Sequence, residues 1–531
     1  MKIISKLFFV SSVLFFTGCT KNFDKINTNP YAVTTIDPAL LFAGAQRTFT
    51  GVGWETESTI AQQFVNPFNS GATQGPNLNA DIDNFNNGRW DNSYTGGAPL
   101  NNPVTGGIKG LVQAMYLLKG STTSTNLLSM IRIWKAYAFM GLVDTYGDVP
   151  YFDAGKAYTD AIFYPKYDDD AAIYADLEKE IKEAVAALNP SGDYVSADLF
   201  FGKNAATPIT TSAAQVAKWK KLGNSLLLIM GMRYSKLNPT KAQALVTEAF
   251  NGGVMTSNAD NVYVKYDGTL ATNAANVNLV NNNPYFYYMA EPFVNQLKST
   301  NDPRSGFIVA KFADPNSPLN DPNPDLTIAN QFGVPVGVLS SVLSNPPYRG
   351  VRGGGLNYSQ LNVKCIGSLT APTFWVTYAQ TSLLLAEAAK RGWIAGGDAT
   401  AKTYYESGIT ADMDSYTVYP NGSAVSAASK TAYLNDPAVL YNPANAIKQI
   451  NTQYWIANIA IGTEAWANLR RNDFAAPALS PNTYNNNLSG GFIRRLSYPD
   501  YELSNNKENY MKAVQAIGGT DNLTTRVFWD K

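Results

Sequence analysis

The chain has 531 residues and no histidine, and that one absence removes a large part of enzyme chemistry. No Ser-His-Asp or Cys-His constellation can be assembled, nor a His-ligated zinc site, nor an imidazole proton shuttle. Carboxylate-pair chemistry survives, and with it glycoside hydrolysis. Its candidate acid is Glu464 in "TEAWANLRR" (463–471). A second carboxylate would have to stand close by, and nothing in the sequence supplies one. Arg470 and Arg471 close the same helical stretch, where they complement the helix dipole and could pair with a carboxylate. Asp148, in the run Gly147-Asp148-Val149-Pro150, reads as a turn residue.

The two thiols read differently from each other. Leu7 to Phe16 is an almost wholly apolar run preceded by Lys2 and Lys6. That is a positive region followed by an apolar stretch too short to span a bilayer, which takes about 20 residues. Thr17-Gly18-Cys19 follows and resembles a bacterial lipobox, with Phe16 where leucine is usual. Cleavage before Cys19 would expose an N-terminal cysteine for acylation; the alternative is an ordinary secretory signal cut nearby. The expected division is therefore a signal peptide at 1–18 and a single domain at 19–531, anchored by lipid rather than spanning. No second long apolar stretch follows. Cys365, the thiol that remains, cannot form an internal disulfide and reads as a small buried apolar residue.

Oxygen-rich and glycine-rich motifs come next. "DIDNFNNG" (81–88) and "DPNPD" (321–325) place oxygen ligands at alternate positions, which suggests calcium. Neither completes an EF-hand: Phe85 takes position 5 of the first, and Leu326 and Phe332 take positions 6 and 12 of the second. Loop turns are the favoured reading, no cofactor is expected, and calcium stays as the alternative. "GVRGGG" (350–355) lacks the Lys-Ser/Thr pair of a phosphate loop. Basic and acidic residues balance at 41 each, so no basic field exists to recruit nucleic acid. Charged residues are only 15% of the chain, which leaves surface hydrogen bonding mostly to amides and hydroxyls.

Helices must position whatever chemistry there is. In "DDDAAIYADLEKEIKEAVAALNP" (168–190) Ile173, Leu177, Ile181, Ala184, Val185 and Leu188 share one face. Acidic residues open the segment, and Asn189-Pro190 ends it. Further helices are expected over 108–119, 126–143, 212–236, 239–250, 371–391, 398–413 and 444–471, with long loops at 66–107, 251–290 and 312–362. Loops of that length often carry function. A tetratricopeptide repeat test places Ala389, Ala401, Tyr405 and Gly408 at the repeat's small and aromatic positions. The expected fold is mostly α, a helical-repeat scaffold decorated by irregular loops.

The ordered set of segments resembles the SusD/RagB family of outer-membrane nutrient-binding lipoproteins, in its SusD-like subgroup. The segments are "DTYGDVPYFDA" (144–154), "NDPR" (301–304), "YRGV" (348–351), "TYAQTSLLLAEAAKRGW" (377–393) and "YYESGITADMDSY" (404–416). "YWIANIAIGTEAWANLRRNDFAAP" (454–477), "FIRRLSYPDYE" (492–502) and "RVFWDK" (526–531) complete the set. Gln380 departs from the Glu that members commonly carry, which affects helix packing. The resemblance implies four tetratricopeptide-like helix pairs, an outward-facing lipoprotein, and a TonB-dependent SusC-like transporter as partner. It implies binding of a glycan or a peptide without catalysis; the competing reading from another class is a surface glycosidase.

Aromatic and amide residues in the long loops are the binding candidates. Flat rings can cover the apolar face of a sugar while amides bond its polar edge. "NPFNSG" (66–71), "GRWDNSY" (88–94), "NNNPYFYYM" (281–289) and "NPPYRG" (345–350) offer this mixture. Family members place ligand contacts in the early loops and before the third helix pair. The nominated ligand-binding residues are Phe68, Asn69, Trp90, Tyr285, Tyr348 and Arg349. Trp90 and Tyr94, four apart, also fit a packed helical pair. Near-neutral charge and Asn/Tyr-rich loops lean towards a neutral glycan. For anchorage, Cys19→Ala should leave the chain secreted but unacylated, read as lost incorporation of labelled palmitate and release from the membrane fraction.

Overall fold

Short polar residues mark where the helices begin. The computed structural model describes residues 36–48, 54, 56–67, 77, 79–81, 83–95, 107–269, 271–281, 284, 287–338, 340–343, 345–348, 357–477, 479, 488 and 491–531. Its longer helices are α1 (Pro38–Thr48), α2 (Gly107–Leu117), α3 (Thr125–Tyr146), α4 (Asp170–Ala187), α5 (Ser212–Arg233) and α6 (Pro239–Gly252). They continue with α7 (Tyr378–Lys390), α8 (Gly397–Ser415), α9 (Ala446–Ala457), α10 (Gly462–Arg471) and α11 (Lys507–Ala516). Asp169, Thr211 and Asn238 each accept a bond from a first-turn N–H of α4, α5 and α6. Such caps satisfy donors that the first turn leaves without an acceptor. None of the helices described is long and apolar enough to cross a membrane.

Four consecutive pairs, α3/α4, α5/α6, α7/α8 and α9/α10, pack as helical hairpins, with α4 against α5 and α7 against α9. This is the expected mostly α, tetratricopeptide-like scaffold. The repeat positions behave as their sizes require. Ala389 and Ala401 are fully buried and Tyr405 fills the space behind them, its hydroxyl donating to Val439 O at 2.7 Å. A Cβ at Gly408 would stand 2.7 Å from Leu383 Cγ, so α7 and α8 approach more closely than any side chain permits.

Two expected boundaries differ. The stretch 371–391 opens as a strand, not a helix: β6 (Thr373–Val376) pairs antiparallel with β2 (Val262–Val264). Its β-branched and aromatic residues suit a pleated, half-buried position. The helix starts only at the Thr377–Gln380 capping box, in which each side chain bonds the other's backbone N–H. Gln380 then donates to Asn458 Oδ1 at 2.5 Å, a bond a glutamate could not donate. The stretch 444–471 is two helices, because Asn458 turns back to bond Tyr454 O at 2.7 Å and ends α9. Regular apolar spacing through Ile456, Ile459 and Ile461 hides that break. Four more strands, β1 (Phe64–Val65), β3 (Tyr288–Met289), β4 (Val309–Ala310) and β5 (Gln360–Leu361), lie among the loops.

Buried ion pairs join the hairpins. Arg233 of α5 reaches Asp144 of α3 at 3.0 Å and Glu464 of α10 at 2.6 Å, all three nearly inaccessible. Trp529 Nε1 donates to Asp144 at 2.8 Å, and Tyr174 also donates to that carboxylate. Arg471 pairs with Glu387 at 2.6 Å, and Arg391 bonds the same carboxylate. Arg304, from the "NDPR" segment, pairs with Asp302 and with Asp412 at 2.8 Å. Burial alone would raise Glu387, but the Arg471 and Arg391 guanidiniums outweigh it and hold the carboxyl at about 2.

Glu387→Gln should therefore cost about 3–5 kcal/mol at neutral pH, since it leaves a buried guanidinium uncompensated. The native carboxyl titrates at about 2 instead of its usual 4.5. Its contribution should be complete above that usual value and fade as pH falls through the native one. Denaturant midpoints of the two proteins, measured across that range, check both claims.

Candidate ligand-binding site

Two of the candidate loops spring from one short ribbon. β1 and β3 pair antiparallel, with Phe64 opposite Met289 and Val65 opposite Tyr288. In this register the chain that follows Val65 and the chain that precedes Tyr288 leave by the same end. Val65, Tyr288, Ala290, Val334, Val338, Leu343 and Tyr358 form a small core of their own, and half-buried Tyr348 packs against it. Tyr348 N donates to Asn345 O at 3.0 Å, which holds the turn that presents the ring. Phe68, Asn69, Tyr285 and Arg349 lie outside the described residues, as does Cys19.

Trp90 stands elsewhere, and its expected role as a ligand platform is corrected. Its side chain is 2% exposed. Tyr94, Tyr146, Tyr167 and Tyr498 surround it at ring distances of 4.9, 5.4, 5.7 and 5.9 Å. A ring enclosed in this way has no free face for a sugar. The packed pair with Tyr94 is the correct reading, with the other partners supplied from remote parts of the chain.

The acidic candidates are all engaged structurally. Glu464 accepts from Arg233 and from Tyr454 at 3.0 Å, so it has no role as a free acid. Asp148 Oδ1 accepts from Asp170 N at 2.9 Å, and Asp170 Oδ2 accepts from Phe528 N at 2.8 Å. With Asp169 these carboxylates bring oxygens within 4.8 Å of one another, a spacing that could hold a cation. Burial, reinforced by the Asp148 charge, pushes Asp170 up to about 7. In "DPNPD" the Asp321 carboxylate accepts from Ala313 N and Asn323 N, and that of Asp325 from Thr327 N and Asn330. Those are the bonds of loop turns. Cys365 is 1% exposed, and burial raises its thiol to about 12.

One aromatic segment escaped the sequence reading. Tyr158, Phe163 and Tyr164 are 87%, 69% and 70% exposed, and Phe152 is exposed nearby. The Asn509 amide of α11 donates to Tyr164 O at 3.0 Å and so ties this segment to the C-terminal helix. The signal was present, in the aromatic density of "FDAGKAYTDAIFYPKY" (152–167), but the segment lies outside the longest loops.

Comparison with known proteins extends this picture over nearly the whole chain. Residues 30–499 match the SusD-like family model described as "Starch-binding associating with outer membrane". A solved chitin-binding protein is 28% identical, with a TM-score of 0.75, covering 93% of this chain and 100% of its own. A SusD homologue from Bacteroides uniformis is 25% identical with a TM-score of 0.68, covering 93% of this chain and 98% of its own. A chitin-binding SusD homologue from Flavobacterium johnsoniae shares the fold, with 21% identity, a TM-score of 0.71 and coverage of 93% and 98%. No curated protein matches the sequence. The helical-hairpin scaffold, the structurally committed carboxylates and a family match across the described core all agree: the chain belongs to the SusD-like family and is a non-catalytic, nutrient-binding protein associated with the outer membrane.

Proposed function

We propose that the protein binds an oligosaccharide at the loops above the β1–β3 ribbon and delivers it to a SusC-like TonB-dependent transporter. The carrying observation is the end-to-end likeness to a chitin-binding structure at 28% identity. Near-neutral charge and the amide and aromatic content of the loops support a neutral glycan rather than a charged peptide. Acylation at Cys19 would tether the protein to the outer membrane with its loops facing outward. Phe68, Asn69, Tyr285, Tyr348 and Arg349 are the proposed contact residues, with Tyr348 the one whose packing is visible.

Calorimetric titration with chito- and malto-oligosaccharides beside a peptide panel tests this reading. Binding of a glycan without turnover is expected; turnover, or affinity for peptides alone, would overturn it. On the protein side, Tyr348→Ala should weaken glycan binding about five- to thirtyfold. That corresponds to about 1–2 kcal/mol for one lost ring face. Trp90→Ala should behave oppositely, losing about 3–5 kcal/mol of stability as a large core ring is truncated. Melting temperature and affinity measured on both variants separate the two roles.

A further inference from the structure

Beneath the loops, where the large helical core meets the core built around β2 and β6, lies a cavity of about 60 Å³. Ser58, Arg89, Tyr137, Trp375, Gly462 and Thr463 line it. Ser58 is 1% exposed, and its Oγ has no hydrogen-bond partner among the described residues. The neighbouring Glu57 is equally buried; its Oε1 accepts from Arg89 Nε and Nη2 at 2.9 and 2.7 Å, while Oε2 has no partner. Several other polar groups on the wall are already committed. Trp54 Nε1 donates to Asn276 Oδ1 at 2.9 Å, and the Asn276 amide donates to Ile366 O and Ser368 O.

The cavity also meets the first turn of α10. Gly462 and Thr463 are its first residues, and their N–H groups have no carbonyl of their own helix to bond. Gly462 comes close to the serine, since a Cβ there would stand 2.7 Å from Ser58 Oγ. The Ser58 hydroxyl thus lies beside a helix start whose first N–H groups have no acceptor in their own helix. A buried hydroxyl left without a partner is costly. The Arg89 charge is taken up by Glu57, so the wall presents no net positive charge to hold an anion. A ligand that both donates and accepts is required, and it must be very small. The volume is ample for ordered water, one molecule of which needs roughly 10–15 Å³ of such space.

We infer that this cavity is a built hydration site, in which ordered water joins Ser58 to the start of α10 and ties the segment 57–60 to the C-terminal helical hairpin. The site is independent of the glycan reading, and its failure would leave that reading untouched. A crystal structure of the mature protein at a resolution that shows solvent tests it first. Density within hydrogen-bond distance of Ser58 Oγ, unchanged when bromide replaces chloride in the crystals, is the expected result. A cavity without ordered density, or an anomalous bromide peak in it, would overturn the inference. Thermal unfolding of Ser58→Ala gives a second readout. A hydrated serine contributes to stability, so the melting temperature should fall by about one to two degrees. An unchanged or raised melting temperature would mean the hydroxyl was a pure cost in a dry cavity, and would sink the proposal.

Discussion

One arginine holds the helical hairpins together. Arg233 lies between Asp144 and Glu464, so a single guanidinium joins α3, α5 and α10. Two carboxylates against one cation would leave excess negative charge in an apolar interior. Arg470 stands beside them, donating to the backbone oxygens of Asp144 and Arg494 at 2.6 and 2.8 Å. Its guanidinium sits between the rings of Trp466 and Trp529, at 3.9 and 4.7 Å, and burial lowers it to about 10. Stacking on aromatic faces is a use of arginine that lysine cannot copy. Taking such charges out of water costs several kcal/mol each, and only complete pairing offsets it. What the arrangement provides is register, since α3, α5 and α10 have one mutual position at which Arg233 meets both carboxylates.

That constraint explains why the recurring sequence segments look as they do. Asp144 comes from "DTYGDVPYFDA", Glu464 and Arg471 from the "TEAWANLRR" run, Glu387 from "SLLLAEAAKRGW", Asp412 from "YYESGITADMDSY" and Trp529 from "RVFWDK". Each segment contributes at least one member of a buried pair whose partner is elsewhere in the chain. The motifs are interior joints of the scaffold. They mark the fold, in contrast to "YRGV" (348–351), which holds the proposed contacts Tyr348 and Arg349.

Helix positions were largely legible because apolar spacing and caps are local properties, as α4 between Asp169 and Asn189 shows. Long-range partners are not local, and there the sequence reading failed. Nothing near Trp90 announces that Tyr146, Tyr167 and Tyr498 will enclose it. The break at Asn458 is invisible for a related reason: its cause is a side chain that folds back on α9 and meets Gln380 of α7. Of the proposed site, the sequence offers loop segments but not the β1–β3 register that brings residues 65 and 288 together. Short strands of two residues have no periodicity to read, so that meeting could not be foreseen.

The tie between Trp529 and Asp144 spans 385 positions of sequence. A chain that emerges from a ribosome or an export channel N-terminus first exposes Asp144 long before Trp529 exists beside it. Throughout that interval the charge cluster lacks one of its walls, and the hairpins have local contacts but no closed centre. The turn Phe528–Asp530 thus closes the last wall of the cluster, and Asp144 has its full set of donors only once that turn is seated.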